Sequence, residues 1–192
     1  LDHLDGLAHH AFTGIWDVRV EAVEEDVAPA DLLLLLERLL ELHIEALARV
    51  DGDAASFKQE TVANVEIRLS TSKKPPGSLS QTFADNRGTD EVIVRAGPLS
   101  IAPGDYPAGT KPNAFGKTID FNLGTFTYRG GPLLLEVAAT ALTSGRNMDN
   151  VSPSTPDSQS VYGTGFSATK SDGAPYFDLI VVEYVFVYPP AK

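Results

Sequence analysis

The chain contains no cysteine. That absence excludes disulfides, thiolate metal sites, covalent haem attachment through Cys-x-x-Cys-His and a cysteine nucleophile. Long apolar runs are also missing. The longest, over 32–36, falls far short of the ~20 residues a bilayer-spanning helix needs, so no membrane span is expected. Basic residues are scarce: 15 Lys and Arg stand against 26 Asp and Glu, for a net charge of −11 and a pI of about 4.7. Such a surface repels nucleic-acid phosphates and anionic lipid, so neither is an expected partner. Phosphate-binding loops and dinucleotide fingerprints are absent, as is the Gly-x-Ser-x-Gly turn of many serine hydrolases. Carboxylate pairs of the glycosidase kind are always available among so many acids and therefore identify nothing. The expectation is a protein that is not an enzyme.

What is present points to a folded β domain. Hydrophobic residues make up 43% and charged residues 21% of 192, which is globular composition at single-domain length. Residues 1–14 lack a period and carry three of the four histidines, His3, His9 and His10, without metal-ligand spacing. They are expected to form an N-terminal arm, with 15–192 as one domain. Because the sequence begins at Leu1, it is expected to be processed or trimmed. Strict alternation marks a half-buried strand over 15–23, with Trp16, Val18, Val20 and Ala22 on one face. Residues 31–41, DLLLLLERLLE, read as a short helix capped by Asp31. A second alternation over 43–50 reads as a strand in competition with a continued helix. Further strands are expected over 114–123, 133–139, 161–168 and 176–188. The segment from Pro98 to Pro112 is too rich in proline and glycine to be a central strand. The sum is mainly β: an antiparallel β-sandwich of about eight strands, jelly-roll or Ig-like, with one short helix.

Residues 64–101 organise the chain. Val65, Ile67 and Leu69 alternate with Glu66, Arg68 and Ser70, and a later strand carries Val92 and Val94. The polar connection between them holds Asp85-Asn86-Arg87-Gly88-Thr89-Asp90-Glu91. Hard oxygen donors from Asp85, Asn86, Asp90 and Glu91, with Gly88 permitting a sharp turn, suit calcium, although the spacing is not that of an EF-hand. The competing reading is an Asx-type turn that leads into the next strand.

The same stretch carries a resemblance. Leu69-Ser70-Thr71, Thr82-Phe83-Ala84-Asp85-Asn86, Gly97-Pro98-Leu99, Ile119-Asp120-Phe121 and Pro132-Leu133-Leu134-Leu135-Glu136-Val137 together resemble secreted bacterial β-sandwich proteins of the PEP-CTERM-associated type, over about 42–140. The resemblance implies export, to the cell surface or the extracellular space, and implies no catalytic residues. It directs the functional expectation to a structural subunit of an extracellular filament, sheath or matrix. Such a subunit assembles with copies of itself, and a donated strand is one way to join them. The alternative is an extracellular ligand-binding module, for carbohydrate or calcium-dependent adhesion, with Tyr106, Tyr128 and Tyr162 as its available aromatics.

Overall fold

The computed structural model describes residues 10–16, 42–49, 59–106, 116–140, 150–151, 159–175, 179–180 and 182–187. These are mainly β, with antiparallel sheets and no closed barrel. The described strands are β1 (His10–Trp16), β2 (Leu42–Arg49), β3 (Glu60–Val62), β4 (Val65–Thr71), β5 (Val92–Arg95), β6 (Leu99–Ile101) and β7 (Ile119–Asp120). They continue as β8 (Phe126–Tyr128), β9 (Leu133–Ala139), β10 (Asn150–Val151), β11 (Gln159–Thr164), β12 (Leu179–Ile180) and β13 (Val182–Val187). A five-stranded sheet runs β11-β1-β9-β4-β5. A four-stranded sheet runs β13-β2-β7, with β8 also paired to β2. Two ribbons, β3-β6 and β10-β12, complete the set.

The alternation in β4 sets the main core. Val65, Ile67 and Leu69 are buried and point to one side, together with Val94 of β5 and Leu133 and Leu135 of β9. The same cluster includes Ile119 of β7, Phe126 and Tyr128 of β8, and the partly buried Tyr184 of β13. Residues of both larger sheets therefore close one core. β9 is buried on both faces, because Leu134 and Ala138 alternate with that set and join a second cluster with Leu79, Phe83 and Val161. The central position of β9 explains its nearly unbroken apolar run. Tyr106, with Ile101, seeds a third, smaller cluster. Its ring lies so close to Gly116 that a Cβ there would stand 2.2 Å from Cδ1. Neighbouring Asp105 accepts from the Ala102 amide, which lowers its pKa, and Lys117 at 3.3 Å acts in the same direction.

Several expectations need correction. Residues 10–14 are not an irregular arm: they begin β1, which pairs with β9 on one side and β11 on the other. The strand expected from residue 15 thus starts earlier, and 17–23 lie outside the described residues. Gly14 and the mixed character of HAFTGIW hide the strand, because a strand hydrogen-bonded on both edges needs no polar-apolar alternation to be held. The helix expected over 31–41 also lies outside the described residues. The 43–50 alternation is strand β2, which settles its competition with a helix. Within 114–123 the described strand is only Ile119–Asp120. The single strand expected over 176–188 is divided: β12 pairs with β10, whereas β13 pairs with β2.

The Tyr184 hydroxyl is buried in the shared core, and burial pushes its phenol far above the ordinary pKa. Only the neutral phenol suits the folded state. Stability is therefore intact below pH ~10, where a tyrosine in the unfolded chain stays protonated, and falls as pH rises further, by about 1.4 kcal/mol per unit. A titration followed at 295 nm should show Tyr184 ionising only together with unfolding. A native phenolate that disappears in a Tyr184→Phe variant would overturn this.

Candidate functional site

The densest polar cluster among the described residues sits on and around the loop from residue 72 to residue 91. The loop leaves β4 and returns to it. Ser72 bridges Arg87, the Lys73 amide donates to the Asn86 carbonyl at 2.8 Å, and the Ser72 amide donates to the Pro132 carbonyl at 2.8 Å. Ends held together in this way define a compact Ω-type loop. Pro75, Pro76 and Gly77, the last at φ +84°, make its outer turn. A single turn of 3-10 helix, Phe83–Asp85, then drives Phe83 inward.

The side chains foreseen for calcium separate into two pairs. Asn86 is fully buried. Its Oδ1 accepts from the Ser80 amide at 2.8 Å and its Nδ2 donates to the Ser80 carbonyl at 2.9 Å. Asp85 accepts from the Ser80 hydroxyl at 3.0 Å. These two fold the loop on itself. Asp90 and Glu91 face β4 instead. Asp90 accepts from the Thr71 amide at 2.9 Å and from the Thr71 hydroxyl at 2.6 Å, and Glu91 accepts from Arg68. Between the pairs lies Gly88, where a Cβ would stand 2.3 Å from the Thr71 carbonyl oxygen. No group of three or more His, Asp or Glu among the described residues is placed to hold a metal ion. Each of the four side chains instead bonds a residue earlier in the chain, Ser80, Thr71 or Arg68, and these bonds are not the short i to i+2 bond of an Asx-type turn.

The charges form a ring. Arg87 grips Glu136 of β9 with two hydrogen bonds, 3.0 Å from Nε and 2.5 Å from Nη2. Arg68 of β4 binds Glu66 at 2.8 Å through Nε and also binds Glu91. Glu91 lies 3.6 Å from Arg87, and Glu136 lies 4.0 Å from Arg68. Burial pulls the Arg68 pKa down, but its bonds to Glu91 and Glu66 more than reverse this, so the net shift is upward. Alternating charges of this kind hold the loop against the sheet, and both guanidinium groups are occupied by carboxylates of the same chain. Glu66, Arg68, Arg87 and Glu136 match no motif. One signal was available for Glu136: a lone carboxylate inside Leu-Leu-Leu-Glu-Val must find a cationic partner to be buried.

The aromatics considered for a binding platform fare differently. Tyr106 and Tyr128 are buried core residues, and Tyr162 of β11 is half-buried. Tyr128 also donates its hydroxyl to the Gly131 carbonyl at 2.6 Å. No family model, curated protein or solved structure matches the chain.

Proposed function

We propose that this is a non-enzymatic, exported structural protein built as an antiparallel β-sandwich, a self-assembling subunit of an extracellular filament, sheath or matrix. The observation that carries the reading is the use made of the charged ring. Two arginines and three glutamates, the richest chemistry among the described residues, are spent on one another to lock a loop onto a sheet. Held in this way, the groups face one another and serve as fasteners of the loop, a use that suits a scaffold. The resemblance of 42–140 to PEP-CTERM-associated sandwiches supports export. The ligand-binding alternative is weakened because Tyr106 and Tyr128 serve the core.

Negative-stain microscopy and light scattering of the purified full chain, across a concentration series, test the reading. Fibres, sheets or regular polymers are expected. A chain that stays monomeric at every concentration and in its native material overturns it.

A further inference from the structure

The five-stranded sheet contains a slot that β1 fills. β1 is antiparallel to both neighbours. Its pairs with β9 run from His10↔Ala139 to Trp16↔Leu133, and its pairs with β11 run from His10↔Thr164 to Ile15↔Gln159. Without β1, strands β9 and β11 would face each other across two strand spacings, about 10 Å, with unpaired backbone on both sides.

The walls of this slot are also joined by contacts outside β1. The 72–91 loop spans it as a bracket, with Leu79 and Phe83 packing on Leu134 of β9 and on Val161 of β11. The Leu79 amide donates to Gln159 Oε1 at 2.7 Å, the Phe83 amide to the Thr169 carbonyl at 3.1 Å, and the Ser171 amide to the Gln81 carbonyl at 2.7 Å. The bracket ties β11 and the turn after it to β4 and β9 by a route that bypasses β1. The charged ring then anchors the base of the bracket on Glu136.

The geometry points to β1 as an exchangeable strand: in the assembled protein the slot between β9 and β11 of one copy receives β1 of a second copy. This rests on the self-assembly reading and names its connector. A slot cannot distinguish its own β1 from an identical one, so the covalent link decides. That link, residues 17–41, can reach at most roughly 80 Å when fully extended, and it joins β1 to β2 in the other sheet. Exchange of one strand replaces each pairing by an equal one, which makes it a low-cost route to association. Head-to-tail exchange gives an open fibre, and reciprocal exchange gives a closed dimer.

The absence of cysteine makes the test clean. Ala11 lies opposite Ala138, and His10 lies opposite Ala139. Neighbouring pairs in an antiparallel ladder alternate in hydrogen-bonding type, so one of the two offers the closer, non-hydrogen-bonded geometry. Full-length A11C and A138C proteins are unfolded together, refolded, assembled and oxidised, with H10C and A139C as the second set. A disulfide-linked heterodimer, lost on reduction, is expected. The double variant A11C/A138C should give a ladder of covalent multimers. If assemblies form but the double variants cross-link only within single chains, the exchange is refuted while the self-assembly reading stands. If light scattering finds only monomers, the self-assembly reading falls and the exchange falls with it.

Discussion

Replacing Phe83 with alanine should cost the fold about 3–5 kcal/mol, the range for removing a buried phenyl ring. Phe83 is 1% exposed, so removing its ring leaves a cavity inside the second cluster. Its ring closes the second cluster over Leu134, Ala138 and Val161, and its Cζ lies 3.1 Å from where a Cβ of Gly163 would stand. The loss should be unevenly distributed. Without the ring, the bracket loses its apolar grip on β11, while the main core on the opposite face keeps Ile67, Leu69 and Leu135. Urea unfolding should show a lower midpoint, and hydrogen exchange should accelerate first in β11 and the turn over 165–172. Phe83→Leu, which keeps most of the volume, should cost less than half as much. Uniform acceleration across both sheets, or a loss below ~1 kcal/mol for Phe83→Ala, would show that the bracket does not hold β11.

The alternation of β4 was legible from sequence, and so was its buried face. β4 forms where alternation places it, because one residue in two must leave water, and β9 forms where the nearly unbroken apolar run places it, because both of its faces are covered. β1 was not legible. HAFTGIW carries a glycine and two polar side chains, and what holds it is pairing to strands more than a hundred residues away. No local propensity records such partners. The acidic cluster was legible as a cluster but not as a device. Asp90 and Glu91 sit next to each other in sequence, yet their partners, Thr71 and Arg68, lie on β4. Four oxygen donors in seven residues resemble a cation site, but spacing does not encode which groups the fold brings to them: Ser80 to Asp85 and Asn86, Thr71 to Asp90, and Arg68 to Glu91.

Glu136 is the position where the charged ring can be measured. Glu136→Gln should destabilise the protein by about 2–3 kcal/mol, below the ~3–5 of a fully buried broken pair because water reaches Arg87. Its side chain is 8% exposed against 24% for Arg87. Net charge does not drive this loss, since two arginines and two glutamates would remain. The loss comes from the bidentate geometry: Glu91, at 3.6 Å from Arg87, cannot replace two direct bonds at 3.0 and 2.5 Å. A double-mutant cycle separates the pair from its surroundings. Arg87→Met and Glu136→Met should each be costly, and together they should cost less than their sum by roughly 1–3 kcal/mol, because neither then leaves a charge stranded. Raising salt from 0.1 to 1 M should change the coupling by less than about half, as a largely desolvated pair is screened far less than an exposed one. Additive single effects, or a coupling that vanishes in salt, would make the ring an ordinary surface network. The bracket, and with it the slot for β1, would then rest on the packing of Phe83 and Leu79 and on the backbone hydrogen bonds of the loop.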